Sequence, residues 1–205
     1  MARSQAFDIV LASASPRRTA LMTEWGIEHG VLASTVEEAH PPEIDTDILT
    51  ERLALQKARD VAERIGRIDP SRPTFVLGAD TLVSRDGLHL GKPRNVEDAV
   101  AMLLGSSGRE LSVLTGVALV RAADGRFWVG HERSFVRMKP YSPAEALAYA
   151  AGGEPNDKAG AFAVQGDGAR LVESVTGSYS NVVGLPRRLV FLLLDTALRD
   201  TGAPR

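Results

Sequence analysis

The sequence predicts an α/β protein with a mixed β-sheet flanked by helices. Three observations predict it. Apolar strand-like runs alternate with capped amphipathic helices, the pattern of sheet and helix layers around a shared core. Two pairs of strand-like runs are joined by tight Asp-Gly turns, which demand antiparallel neighbours. Other runs stand alone between helices, as parallel strands joined by crossovers do. With 205 residues, 44% of them hydrophobic, the chain has the length of one domain with a sizeable core. No repeat, low-complexity tract or linker divides it, so residues 1–205 are expected to form one unit.

Each element follows from local signals. Residues 7–12 read as a buried strand. Ser15-Pro16 opens a helix, with serine as cap and proline at the first position, and Gly26 closes it. Residues 27–33 read as a second strand. A long helix over 47–65 follows, its apolar stripe made by Leu53, Ala54, Ala58, Val61, Ala62 and Ile65. Residues 67–73 read as a loop and residues 74–77 as a strand. Asp86-Gly87 turns a hairpin, and Asn95 caps a short helix with Glu97 and Asp98 in its first turn and Gly105 at its end. Strands over 111–120 and 126–136 make a second hairpin through Ala123-Asp124-Gly125-Arg126. Ser142-Pro143 starts a helix that stops at Gly152-Gly153, and residues 161–164 and 170–175 read as strands around a glycine-rich turn. A helix from about Leu185 closes the series.

Composition excludes several classes of function. Lys plus Arg number 24 against 26 Asp plus Glu, a net charge of −2, so a general nucleic-acid surface is excluded and any anion site must be local. The absence of cysteine removes disulfides, thiolate metal sites and a cysteine nucleophile. The longest apolar run after the first strand, over 189–194, is far shorter than the roughly 20 residues of a membrane span. A soluble cytoplasmic protein without a membrane partner is expected.

Five segments carry the candidate chemistry. In Leu11-Ala12-Ser13-Ala14-Ser15-Pro16-Arg17-Arg18, two arginines sit in a helix's first turn, where partial positive charge already accumulates. They are unfavourable there unless an anion offsets them or water solvates them. Lys57 falls inside the apolar stripe of its helix, in the series Leu53, Lys57, Val61, so it either snorkels to the surface or projects toward a phosphate. Phe75-Val76-Leu77-Gly78-Ala79-Asp80-Thr81 delivers a carboxylate at what reads as a strand's carboxyl end, beside small residues that admit a close ligand. That suits a metal ligand, a general base or a turn cap. Gly87-Leu88-His89-Leu90-Gly91-Lys92-Pro93 has its glycines one residue too close for a nucleotide-binding P-loop, and Pro93 replaces the magnesium-holding hydroxyl; Lys92 can still face a phosphate. In residues 157–166, Lys158 precedes an apolar run and Gln165 ends it, where an amide can read a base edge. The four histidines show no metal-ligand spacing, and the acidic pair Glu37-Glu38 is either solvated or supplies a second carboxylate to a divalent cation.

In order, Leu-Ala-Ser-x-Ser-Pro-Arg-Arg, Glu-Glu, Leu53-Ala54-Leu55-Gln56-Lys57-Ala58, Gly-Ala-Asp-Thr, Gly-Lys-Pro, Lys-Ala-Gly-x-x-x-x-Gln-Gly and Gly-Ser-Tyr-x-x-Val-x-Gly-Leu-Pro resemble the Maf family of nucleoside triphosphate pyrophosphatases over about residues 7–186. The resemblance implies a two-lobed fold related to the inosine triphosphate pyrophosphatases, with an active-site cleft between the lobes, a divalent metal cation (Mg²⁺ or Mn²⁺) and a homodimer. It implies that Asp80 is the essential acid, with Glu38 as its partner at the metal. Arg18, Lys57 and Lys92 then face the phosphates of a nucleoside triphosphate substrate, and Ser13 belongs to the same first loop. Arg17, Thr81 and Gln165 match positions that select the base in the branch acting on dTTP and UTP. Ser106-Ser107-Gly108 departs from the usual Leu-Ser-Gly. The same reaction on 7-methyl-GTP or a deaminated purine, or a nucleotide-binding role in septum formation, is the alternative.

Overall fold

A computed structural model describes residues 7–37, 45–66 and 72–201. Its elements run β1 (Asp8–Leu11), α1 (Pro16–Glu24), β2 (Gly30–Val31), α2 (Thr46–Ile65), β3 (Thr74–Arg85), β4 (Leu88–Leu90), α3 (Val96–Ser106), β5 (Glu110–Arg121), β6 (Phe127–Met138), α4 (Pro143–Ala151), β7 (Val172–Thr176), α5 (Tyr179–Val183) and α6 (Arg187–Thr201). Seven strands form one sheet in the order β2-β1-β3-β5-β6-β7, with β4 paired to β3. β1 runs parallel to β2 and β3, whereas β4 on β3 and β7 on β6 are antiparallel, so the sheet is mixed as expected.

The chain divides into two compact units, one of residues 1–80, 115–132 and 184–205, the other of residues 81–114 and 133–183. In the first, α2 lays the stripe predicted for it onto the sheet. Ala54, Ala58, Val61 and Ala62 bury against Ala12, Val76, Ala118 and Val120. In the second, α3 and α4 pack on one another, with Leu103, Leu111, Met138 and Tyr149 fully buried.

Turn chemistry is where the expected elements hold best. Asp86 and Gly87 both take positive φ, 50° and 79°, the twist a two-residue hairpin needs. Asn95 accepts from the Asp98 amide, and Ser142 and Glu145 close a reciprocal capping box on α4. Ser15 holds the cap position of α1 without a side-chain cap bond.

Several expectations are corrected. Residues 161–164 are not a strand: a 3₁₀ turn covers Ala159–Ala161, with Gly160 and Ala161 at φ 71° and 58°, which no strand tolerates. The strand expected over 27–33 shrinks to Gly30–Val31, because the Ile27 amide turns back to the Met22 carbonyl at the end of α1. Gly105 does not end α3. It lies inside the helix against the Arg85 guanidinium, and α3 continues to Ser106. Residues 170 and 171 belong to a 3₁₀ helix, so β7 starts at Val172. Tyr179–Val183, given no element from the sequence, forms the short helix α5, and the last helix starts at Arg187. The loop over 67–73 falls partly outside the described residues. Finally, β3 extends to Arg85, which places Asp80 mid-strand and not at a carboxyl end.

Candidate active site

Asp80 sits in a run of β3 that is otherwise apolar and buried, from Phe75 to Ala79, and it is itself only 3% exposed. A carboxylate taken so far out of water requires a countercharge. Lys57 supplies it from α2, with Nζ 2.6 Å from Asp80 Oδ1 and the lysine 7% exposed. The lysine inside the apolar stripe therefore neither snorkels nor stands isolated; it ends on the acid. Asp80 Oδ2 is buried and has no hydrogen-bond partner among the described residues. A buried, charged, unmatched acceptor is costly, and such an atom is retained where something else is to bond to it.

The first loop is tied to the same strand. The Ala12 amide donates to Leu77 O at 2.8 Å, which brings Ser13 beside β3. Ser13 Oγ accepts from the Ser15 amide at 3.2 Å and from Arg18 Nη1 at 3.1 Å. That same Nη1 donates to Ala79 O at 2.9 Å, and Arg18 Nε to Gly184 O at 2.8 Å. Arg18 thus braces three segments: the first loop, the strand position immediately before Asp80, and the Gly-Leu-Pro turn before α6. The planar fork of arginine suits this, since a lysine cannot span several fixed carbonyl and hydroxyl acceptors in one plane. Arg17, half-buried, precedes it in the first turn of α1.

The structure thus brings together Ser13, Arg18, Lys57 and Asp80 in the first unit. Glu38 lies outside the described residues. Thr81 follows Asp80 on β3, half-buried, with strand alternation turning it to the opposite face. Lys92 and Gln165 belong to the second unit and both are exposed. There the Gly-Lys-Pro and Lys-Ala-Gly segments meet, since the Gly160 amide donates to Gly91 O at 2.9 Å. Lys158 is held by Glu154 O and, at 2.7 Å, by Asp157 Oδ1.

Two groups of site-shaping residues escaped the sequence reading. Glu154 organises the turn after Gln165, its Oε2 accepting from the Gly168 amide at 3.0 Å. A Cβ on Gly166 would lie 2.3 Å from Glu154 Oε1, and one on Gly168 would lie 2.6 Å from Tyr149 Oη. The glycine pair at 166 and 168 is the signal of this crowding in the sequence. Burial, reinforced by the Glu154 charge, raises the pKa of the Tyr149 hydroxyl and keeps it neutral. The second group anchors α5: Asn181 Nδ2 donates to Val113 O at 3.1 Å and to Ser134 Oγ at 2.9 Å, while Ser134 Oγ donates to Ser178 O at 3.1 Å. No periodicity marks these polar residues as buried partners.

The small residues at 78 and 79 do not open space for a ligand on the helix side. A Cβ on Gly78 would lie 2.2 Å from Ala54 O, so α2 occupies that approach. No group of three or more histidine or acidic side chains that could hold a metal is present among the described residues. Among the described residues, Asp80 Oδ2 is a buried carboxylate oxygen without a hydrogen-bond partner.

Fold and site define a mixed-sheet α/β protein that keeps one buried carboxylate, half of it unmatched, between a lysine and an arginine brace. The chain belongs to the Maf family: the family model described as Maf-like protein matches residues 8–197. It is 40% identical over 194 residues to a dTTP/UTP pyrophosphatase of Caldicellulosiruptor saccharolyticus, covering 95% of this chain and 94% of that one. Proteins of the same name from Moorella thermoacetica and Symbiobacterium thermophilum are 46% and 47% identical, covering 87% of this chain and 89% and 88% of theirs. A solved nucleoside-triphosphatase / dITP/XTP pyrophosphatase from Mycobacterium abscessus is 17% identical, covers 64% of this chain and 74% of that one, and aligns with a TM-score of 0.41, too distant to bear on fold or function.

Proposed function

We propose that this chain is a nucleoside triphosphate pyrophosphatase that hydrolyses dTTP and UTP to the nucleoside monophosphate and pyrophosphate. Relatives of that name, matched along most of both chains, support the substrate; the buried Asp80 with its unmatched Oδ2 is the observation that carries the chemistry. Asp80 Oδ2 accepts a proton from a water whose oxygen bonds to the α-phosphorus, while the bond from that phosphorus to the bridging oxygen breaks and pyrophosphate departs. Lys57 holds the carboxylate by Oδ1, which keeps Oδ2 in one orientation for that transfer.

A nucleoside triphosphate carries about four negative charges, and a chain of net charge −2 meets them only with local cations. Arg18, Lys57 and Lys92 are the cations of this reading, with Arg17, Thr81 and Gln165 selecting the base. One orphaned carboxylate oxygen fits Mg²⁺ or Mn²⁺, since Mg²⁺ commonly takes one or two carboxylates and completes its shell with water and substrate phosphate. In the alternative to direct proton transfer by Asp80, Asp80 and Glu38 would hold the metal, which would neutralise phosphate charge when bound. A homodimer in the cytoplasm completes the proposal; no described helix is long and apolar enough to cross a membrane.

The test is pyrophosphate release from dTTP, UTP, 7-methyl-GTP and ITP with Mg²⁺. Release from dTTP and UTP is expected, with a loss on the order of 10²–10⁴-fold in Asp80→Asn. Release from none overturns the enzyme reading, and release from 7-methyl-GTP alone overturns the substrate.

A further inference from the structure

The 2.6 Å contact between Lys57 and Asp80 joins two elements whose approach is set elsewhere. On β3 the alternation of side chains puts Val76, Gly78 and Asp80 on one face, and on β5 it puts Gly116, Ala118 and Val120 on one face. Helix α2 packs on Val76, Ala118 and Val120 with Ala54 and Ala58, side chains too small to hold it away. At two places even a methyl is excluded. A Cβ on Gly78 would lie 2.2 Å from Ala54 O, 2.9 Å from Ala58 N and 3.0 Å from Ala58 Cβ. A Cβ on Gly116 would lie 2.3 Å from Thr50 C, 2.4 Å from Thr50 O and 2.6 Å from Glu51 N. These obstacles are helix backbone, which cannot rotate aside as a side chain can. Both glycines are fully inside the packed layer, and neither has the positive φ that would require glycine for its own sake.

Lys57 lies within the helix turn seated on Gly78. It follows Ala54 by three residues and adjoins Ala58, the two residues seated on Gly78, while Asp80 stands two positions further along the same face of β3. A helix lifted at Gly78 carries the lysine away from the acid.

We propose that Gly78 and Gly116 are positioning residues: two notches in adjacent strands that seat α2 against the sheet at the depth where Lys57 holds Asp80 for proton transfer. Gly78 sets the turn that carries Lys57, and Gly116 seats the helix about two turns earlier, at Thr50. The inference rests on the reading of Asp80 as the base, but the geometry it asserts is measurable without turnover.

The experiment compares wild type, Gly78→Ala and Gly116→Ala, each checked for folding by circular dichroism. A buried, paired ammonium exchanges its protons slowly, so the Lys57 Nζ signal is followed by ¹H–¹⁵N NMR and assigned by its loss in Lys57→Met. Gly78→Ala is expected to abolish the signal and lower kcat at least tenfold, and Gly116→Ala to weaken both less. In a Lys57→Met background the further loss from Gly78→Ala should shrink below twofold, because a residue acting through Lys57 has nothing left to position. Should Gly78→Ala fail to fold, Ala58→Val presses on the same notch from the helix side with a rotatable side chain, and the same two readouts decide. A folded Gly78→Ala or Ala58→Val protein that keeps the ammonium signal at wild-type strength overturns the proposal. So does an equal kcat loss with and without Lys57, the mark of a merely structural effect. A wild type that shows the signal yet releases no pyrophosphate from any nucleotide overturns the proposed function and leaves the seating of Lys57 to be judged by the NMR arm.

Discussion

Lys57 and Asp80 pair at 2.6 Å where both side chains are buried, so the loss of either is felt by the other. Replacing one partner leaves a buried charge unmatched, which typically destabilises by about 3–5 kcal/mol, whereas replacing both by neutral groups of similar size is far less costly. Lys57→Met should therefore lower the urea-derived stability by about 3–5 kcal/mol, and Asp80→Asn by an amount of similar order. The double variant should fall well short of the sum; additive losses would show that the two side chains are not paired in solution. Arg18 is a second residue whose geometry matters more than its charge. Arg18→Lys preserves the cation but cannot reproduce bonds to Ser13 Oγ, Ala79 O and Gly184 O together, so a stability loss of about 1–3 kcal/mol is expected, and an unchanged melting curve would refute the brace. At this scale the sequence was half legible. A lysine on the apolar stripe marked Lys57 as unusual, but nothing local names a partner 23 residues away on another element. The arginine pair read as either facing an anion or solvated by water; Arg18 donates to two backbone carbonyls, which leave no trace in a motif.

Among the elements, those governed by local chemistry were read most accurately. The hairpin turn at Asp86-Gly87, the Asn95 cap and the Ser142-Pro143 start of α4 depend on residues within a few positions of one another. Residues 161–164 were misread for the opposite reason. Ala161, Phe162, Ala163 and Val164 have the apolar content of a buried strand, yet the chain here is fixed by distant bonds, Gly160 to Gly91 and Gly168 to Glu154. Glu154 is the residue that decides this turn, and with it the setting of Gln165. Glu154→Ala removes the acceptor for the Gly168 amide and opens the space that Gly166 crowds. It should raise KM for dTTP and UTP several-fold, with kcat changed less and the fold retained. Glu154→Gln, which keeps an acceptor at that position, should restore most of the affinity. Equal KM values in all three proteins would separate this turn from substrate binding.

Over the whole molecule, near-neutral composition conceals charges assigned to local duties, and their titration contributes to the pH dependence of stability. On the acid side, the Thr35 amide holds the Asp60 carboxyl below its ordinary pKa, Arg94 does so for Asp98, Arg121 for Asp124 and the Ser142 amide for Glu145. A carboxyl whose pKa is lower folded than unfolded adds stability above the unfolded value and loses it as pH falls through the folded one. These contributions are therefore intact at neutral pH and disappear in acid below the ordinary carboxylate range. On the alkaline side the sign reverses. Burial pushes the Tyr141 phenol from 10.0 up to about 12, against a smaller pull from Arg85, and its hydroxyl donates to Leu103 O at 2.6 Å. Tyr149, 1% exposed, is raised as well, by burial first and then by Glu154. The unfolded phenols ionise while the folded ones cannot, so their stabilisation is complete below pH 10 and is lost as pH rises toward the folded values. The melting temperature should accordingly hold a plateau through neutrality and fall on both flanks, with two tyrosines of the second unit contributing to the alkaline fall. Tyr141→Phe should melt earlier at pH 7, having lost one hydrogen bond, yet decline less steeply than wild type between pH 10 and 12. Parallel curves across that window would show that the Tyr141 hydroxyl titrates as it does in water and that the pocket beside Leu103 is open to solvent.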